Sequence, residues 1–277
     1  MELGSAQSPL LIAHRGGAGL APENTLAAFE PAVRLWAADM MELDVRASAD
    51  GHCVVIHDPT VDRTTDGSGD VAAMPLAALR ELDAGHHFTR DGGRTFPFRG
   101  RGVAIPTIED VLEALPGVPI TVEVKTGAAQ APLFAAIRRF NASAHVVAAG
   151  MYDRDRTMFG SYDGKVSASA EQVSAFVRMY TLRLGRFARM AADVVQIPEY
   201  HGQRRIVTQG LIRALHAKGI AVHVWTVNVE SDMHRLLDWG VDGLVSDRPD
   251  TLARALHRRA GRPLPPGATE RAVEGLA

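Results

Sequence analysis

Apolar positions along the 277-residue chain recur with two periods, and their alternation predicts the fold. Short runs rich in β-branched or small apolar residues stand at 10–13, 40–45, 120–125, 145–149, 166–170, 193–197, 221–226 and 243–246. Runs of that length bounded by turn formers read as buried strands. Between them, residues 108–115, 132–140, 172–184, 211–218 and 233–239 carry apolar side chains three and four apart, the spacing of one helix face. Strands alternating with helices mean a parallel sheet with crossover helices. Eight such units predict an α/β fold, a TIM (β/α)8-type barrel rather than an open doubly wound sheet, as a single catalytic barrel over residues 9–258. The fourth and fifth runs are alanine-rich and weakly β-forming. In the first helix, Leu26, Phe29, Val33 and Trp36 form a stripe that contains Pro31, which is expected to kink or restart it.

Two places break the alternation. The second strand turns at Ala49-Asp50-Gly51 and runs into Cys53-Val54-Val55-Ile56-His57, a hairpin that brings His57 back to the mouth. Residues 59–106 follow with Gly, Asp and Arg and no clear period. A stretch of that length is expected to be a small subdomain inserted after the second strand, over the barrel mouth. Residues 260–277, with Pro263, Pro265 and Pro266, read as a disordered tail.

Composition narrows the function. Lys and Arg (30) nearly balance Asp and Glu (32), so the overall charge calls for neither nucleic acid nor an anionic membrane. Cys53 is the only cysteine, which excludes an intrachain disulfide. The start has no basic, then apolar, leader pattern, and no apolar run approaches the roughly 20 residues of a membrane span. A cytoplasmic location is therefore expected. In residues 176–190, Val177, Tyr180, Leu184 and Phe187 alternate with Arg178, Arg183, Arg186 and Arg189. Helices of that composition can lie on anionic membranes. The balanced overall charge favours an ordinary barrel helix with a solvated basic face, and no stable membrane association is expected.

Side chains two apart on a strand share a face. Met41-Glu42-Leu43-Asp44-Val45 thus projects Glu42 and Asp44 together, and Val122-Glu123-Val124-Lys125 projects Glu123 with Lys125. A barrel interior is normally apolar, so ionised groups there are costly unless paired or bound to metal. Pairing with Arg or Lys would account for one such strand. Two strands with the same inward pattern are better explained by one divalent cation, and all-oxygen ligands favour Ca²⁺ or Mg²⁺ over Zn²⁺. His14 ends the first strand, where barrels place catalytic groups, and His57 ends the returning hairpin. Such a pair can supply one base and one acid near neutral pH. Arg15 and Lys125 offer positive charge for a phosphodiester, or salt bridges to Glu42 or Glu123. Pro22-Glu23-Asn24-Thr25 reads as a helix start with Asn24 or Thr25 as N-cap. Trp225, on the seventh strand, is a candidate apolar wall for substrate.

These motifs resemble, in order, the series of the glycerophosphodiester phosphodiesterase family, in its cytoplasmic bacterial type. They are His14-Arg15-Gly16, Pro22-Glu23-Asn24-Thr25, Glu42-Leu43-Asp44, Val55-Ile56-His57-Asp58, Glu123-Val124-Lys125, Trp225-Thr226-Val227-Asn228 and Gly240-Val241-Asp242-Gly243-Leu244-Val245-Ser246-Asp247-Arg248-Pro249. The resemblance implies a TIM-type barrel, a Ca²⁺ or Mg²⁺ site at Glu42, Asp44 and Glu123, and acid–base histidines at His14 and His57. It implies a small-molecule glycerophosphodiester split into an alcohol and sn-glycerol 3-phosphate. One departure is Ala149-Gly150-Met151, where the family commonly has Ser-Phe. The nearest rival is a lysophospholipase D of the same chemistry. A barrel that only binds phosphodiesters is a second, and it would be marked by loss of a histidine or ligand.

Overall fold

The structure is a computed structural model that describes residues 1–268. Eight parallel strands form the barrel: β1 (Leu10–His14), β2 (Met40–Ala47), β4 (Ile120–Val124), β5 (Val146–Ala149), β6 (Lys165–Val166), β7 (Val194–Pro198), β10 (Ala221–Trp225) and β11 (Gly243–Ser246). Their spatial order is β6-β5-β4-β2-β1-β11-β10-β7. The ring closes between its two ends, where Ser167 bridges Val194 in parallel and the Ala168 amide donates to the Val194 carbonyl at 2.9 Å. β6 has only two residues, and the alanine-rich run from 166 to 170 gives way after Ser169 to a helix.

The crossover helices are α1 (Leu26–Arg34), α3 (Ile108–Ala114), α4 (Gln130–Arg139), α5 (Ala170–Thr181), α6 (Gln209–His216) and α7 (Glu230–Asp238). Outside the helical runs expected from the pattern, α8 (Pro249–Ala260) follows β11; Pro249 opens it, at a position where the missing amide costs nothing. Polar side chains define several starts. Thr107 and Asp110 form a reciprocal capping box on α3, and Ser169 with Gln172 does the same on α5. α1 runs through Pro31 without restarting and ends three residues later.

Inside the barrel, Ile12, Met40, Val147, Val194 and Val245 form an apolar layer that Leu3 closes from the foot. The Leu3 carbonyl accepts from Nε2 of the fully buried His223 at 2.9 Å, and burial holds that imidazole below its ordinary pKa. The outer faces of the strands pack on the helices through Leu11, Phe29, Leu43, Val122, Leu133, Leu211 and Leu252, all buried. Each such side chain stabilises the fold by about 1.5–3 kcal/mol on burial.

β3 (Cys53–Val55) runs antiparallel to β2, with Val45 opposite Val55 and Ala47 opposite Cys53. The hairpin turn needs Gly51 at φ 84°. Residues beyond it include a short helix, α2 (Leu76–Arg80), and enclose a separate apolar cluster of Val54, Ile56, Val61, Val71, Leu79, Ala84 and Ile105. The chain therefore carries an insertion after the second barrel strand. A two-stranded ribbon, β8 (Tyr200–His201) with β9 (Arg204–Arg205), follows β7.

The expectation of a disordered tail from residue 260 is corrected as far as residue 268. Arg262 makes a two-pronged ion pair with Asp39, at 2.6 and 2.8 Å, and the Gly267 amide donates to the Leu35 carbonyl at 2.8 Å. Proline and glycine content concealed this docking, because partners near the other end of the chain supply it, Asp39 being 223 residues from Arg262. Residues 269–277 lie outside the described residues. Among the described residues, no helix is long and apolar enough to cross a membrane.

Candidate active site

The strand register assembles the mouth. β1 pairs with β2 so that His14 lies opposite Glu42, and β2 pairs with β4 so that Asp44 lies opposite Glu123. One carboxylate oxygen from each of Glu42, Asp44 and Glu123 lies within 4.8 Å of the others. Lys125 Nζ contacts Asp44 Oδ1 and Glu123 Oε2, both at 2.9 Å. Arg15 Nε is 3.2 Å from Asp44 Oδ2, an ion-pair distance without hydrogen-bond alignment, and Arg15 Nη1 donates to Glu23 Oε1 at 2.9 Å. Three carboxylates thus face two cations.

Titration follows from that crowding. Burial first, then Asp44 and Glu123, push Glu42 up to about 7, although His14 and Lys125 oppose them. Burial also disfavours the charged form of Asp44, but Lys125 and Arg15 outweigh it and hold Asp44 below the ordinary carboxylate value. Lys125 is raised despite its burial, because Asp44 and Glu123 stabilise the ammonium. Glu123 Oε1 is buried and, among the described residues, has no hydrogen-bond partner. An orphaned carboxylate oxygen beside a second carboxylate held at about 7 is the donor set a hard cation completes, so this cluster could coordinate a divalent cation.

Both histidines reach this cluster with a carboxylate behind them. His14 Nδ1 is 2.6 Å from Asp247 Oδ1, and its Nε2 is 3.8 Å from Glu42 Oε2. Burial lowers the His14 pKa, but the Asp247 hydrogen bond and the charge of Glu42 outweigh it, and the net shift is upward. Asp247 in turn accepts from Asn228 Nδ2 at 2.7 Å, while Asn228 Oδ1 receives the Asp247 amide at 2.9 Å. His57 Nδ1 is 2.6 Å from Asp58 Oδ1. Arg63 donates to the other oxygen of Asp58 and to both oxygens of Glu23, so a residue of the insertion links His57 to the β1–α1 loop. Against the cost of burial, Arg63 and His57 hold Asp58 down at about 2. Arg46 Nε donates to the His57 carbonyl at 2.8 Å.

The loop after β1 is shaped for this contact. Gly16 has φ 86°, and a Cβ there would lie 2.7 Å from the Phe29 ring. Only glycine allows the turn to fold down onto α1. Arg15 itself sits at φ 51°, with its amide donating to Glu42 Oε2 at 3.1 Å.

The helix start expected at residues 22–25 is present, with Thr25 of the two candidates at the N-cap, but neither side chain caps it. Thr25 occupies the N-cap position without a side-chain cap and donates to the Pro22 carbonyl. Asn24, buried at φ 58°, donates to Asp44 Oδ2 at 2.9 Å and accepts the Asp44 amide at 3.2 Å. Asparagine suits both jobs, since it tolerates the left-handed conformation as well as capping, and only the distant partner distinguishes them. Trp225 stands at the mouth end of β10, half-buried against the inner apolar layer. Asp247, Asn228, Glu23 and Arg63 carry no signal of these roles in the sequence pattern; Asp58 does, as the neighbour of His57.

Comparison with known proteins agrees with this arrangement. The model of the glycerophosphoryl diester phosphodiesterase family matches residues 14–251. A glycerophosphodiester phosphodiesterase of Caldanaerobacter subterraneus subsp. tengcongensis is 34% identical over 257 residues, which span 90% of this chain and 98% of that protein. The crystal structure of a glycerophosphodiester phosphodiesterase from Agrobacterium tumefaciens is 28% identical with a TM-score of 0.71, covering 89% of this chain and 99% of the other. An Oleispira antarctica phosphodiesterase, solved with its product sn-glycerol 3-phosphate, shares the fold at 24% identity and a TM-score of 0.69, covering 90% of this chain and 96% of its own. The family match runs from His14 to Thr251 and takes in every mouth residue described above; this chain belongs to the glycerophosphoryl diester phosphodiesterase family and is a phosphoric diester hydrolase acting on glycerophosphodiesters.

Proposed function

We propose that the hydrolysis requires one divalent cation, Ca²⁺ or Mg²⁺, held by Glu42, Asp44 and Glu123, and that His14 and His57 carry the protons. The observation that supports this most is the convergence of three carboxylates from two adjacent strands beneath two carboxylate-backed histidines. When bound, the cation supplies Lewis-acid polarisation of the phosphodiester and of the glycerol hydroxyls. Arg15 and Lys125 stabilise the phosphoryl oxygens as negative charge builds. One histidine takes a proton from the nucleophile and the other returns one to the leaving alkoxide, each contributing about 10²–10⁴-fold. Asp247 and Asp58 fix the tautomer and orientation of these rings through Nδ1, which leaves Nε2 for the proton transfer. The products are an alcohol and sn-glycerol 3-phosphate, the product named for the Oleispira relative. Residues 59–106 shape the leaving-group side, and Trp225 walls the glycerol side.

Chelation should abolish turnover of a soluble glycerophosphodiester, and Ca²⁺ or Mg²⁺ should restore it. His14→Ala and His57→Ala should each lower kcat by about 10²-fold or more, and the double variant should fall little further because both act in one cycle. Full activity in excess chelator would remove the cation from the reaction. Near-normal turnover in either histidine variant would remove that residue from proton transfer.

A further inference from the structure

The two most exposed large apolar side chains among the described residues, Leu182 and Phe187, stand with Leu184 in one segment far from the mouth. Leu182 is 69% exposed, Phe187 60% and Leu184 45%, all just past the end of α5. Between Glu171 and Asp193 the chain has no acidic residue but has four arginines, Arg178, Arg183, Arg186 and Arg189. All four are exposed, and among the described residues none forms an ion pair. Several exposed arginines elsewhere are paired, Arg80 with Asp110, Arg258 with Glu230 and Arg259 with Asp238, whereas these four stand together in a stretch that holds no carboxylate. The near-zero net charge of the chain therefore conceals a local cationic and apolar surface.

The backbone displays this surface at some conformational cost. The Leu184 amide donates to the Met179 carbonyl at 2.8 Å and the Arg183 amide to the Tyr180 carbonyl at 2.9 Å, which closes α5 with a Schellman turn. Its left-handed position, φ 61°, is held by Arg183. Glycine would fill that position without strain; the chain carries a charged side chain there instead.

Its place in the fold fixes its orientation. α5 leaves the mouth end of β6 and descends, so the segment before β7 lies at the foot of the barrel, opposite the mouth. Lys218, which follows α6 and precedes β10 at the same foot, donates from Nζ to the Arg186 carbonyl at 2.6 Å.

We propose that this foot surface docks the enzyme reversibly on an anionic lipid bilayer, with Leu182, Leu184 and Phe187 entering the headgroup region and the four arginines contacting lipid phosphates. Unpaired cations interleaved with apolar side chains match an anionic interface. A symmetric contact with a second copy of the chain would oppose arginines to arginines, which charge complementarity disfavours. Docked by its foot, the barrel keeps its mouth toward water. It then serves water-soluble diesters released at the membrane, rather than lipids drawn from it.

The test is co-sedimentation of the cation-loaded enzyme with vesicles of phosphatidylcholine alone or mixed with phosphatidylglycerol. Wild type should enrich on the mixed vesicles at least about tenfold over phosphatidylcholine at low salt, and lose this at high salt. Each arginine near the surface contributes roughly fivefold, so R183E/R186E/R189E should bind at least about 100-fold more weakly. The L182S/F187S variant should also fall, whereas R183K/R186K/R189K should retain binding. Turnover of a soluble glycerophosphodiester checks that every variant is folded and should match wild type, both free and on vesicles. The proposal is overturned by absence of wild-type enrichment, by equal binding of the charge-reversed variant, or by inhibition on vesicle binding, which would place the mouth against the bilayer. A dimer in sedimentation velocity that L182S/F187S dissolves would assign the patch to self-association and overturn it as well.

Discussion

Asp247→Asn separates an orienting carboxylate from a merely neighbouring one. The substitution keeps the shape and one acceptor oxygen but removes the charge 2.6 Å from His14 Nδ1. Hydrogen bonds to charged groups contribute about 1.5–3 kcal/mol, and 1.36 kcal/mol corresponds to one pKa unit. The His14 pKa, raised in the native enzyme, should therefore fall by roughly one to two units. In a kcat/KM profile with saturating cation, one limb should move toward acid by that amount while the other stays. This holds whether His14 acts as base, moving the acid limb, or as acid, moving the alkaline limb. At the optimum kcat should fall about 10–100-fold, the usual cost of losing a supporting partner. The same pair has a stability signature. His14 gains stability that is complete below its ordinary value of 6.5 and fades as pH rises through its raised value. Asp247 is held below its ordinary 3.8, so its share is present above that value and is lost as pH falls through the depressed one. The wild-type advantage over Asp247→Asn in urea denaturation should peak between these two pH values. Two stationary limbs with kcat within about twofold of wild type would refute the orienting role.

Two further changes probe the mouth. Asn24→Ala removes both buried contacts to Asp44, and should cost about 1–3 kcal/mol of stability and about 10–100-fold in cation affinity by calorimetry; unchanged affinity would leave Asn24 a turn residue only. Exchanging residues 59–106 for those of a relative should alter which alcohol is preferred, read as ratios of kcat/KM across a substrate panel, with cation affinity preserved. A fold that collapses on every exchange, or a preference that never moves, would make the insertion structural.

Much of the fold is legible because its signals are local. Alternation in Met41-Glu42-Leu43-Asp44-Val45 fixes which side chains face inward whatever the strand pairs with. Glu123 and Lys125 are readable from β4 for the same reason, and the hairpin is readable from Gly51. Where the local signal is ambiguous, tertiary contacts decided. Of the alanine-rich fifth run only Val166 lies in a strand, and the run ends at the cap and first residue of a helix, because Ser169 and Gln172 offered α5 a better start than alanines offered a strand. Residues 261–268 look unstructured by composition and are held by Asp39 and Leu35.

The site shows the same division more sharply. Residues that present charge to the mouth were readable one strand at a time, whereas those that hold them in place were not. Asp247 reaches His14 across 233 residues only because β11 returns beside β1, with Ser246 opposite Ala13. Asn24 reaches Asp44 because Gly16 lets the β1–α1 loop fold down, and Arg63 reaches Asp58 and Glu23 because the insertion packs over β3. A closed barrel makes such partners inevitable, since its first and last strands must be neighbours and every mouth loop overlooks the same few ångströms of space. The polar residues of β2 and those at or just past the ends of β1, β4, β10 and β11 therefore belong to one network even when each, by itself, reads as a cap, a turn or a surface charge. Asn228, just past β10, is the plainest instance: a small amide in a loop that fixes the carboxylate behind His14 through both of its polar atoms.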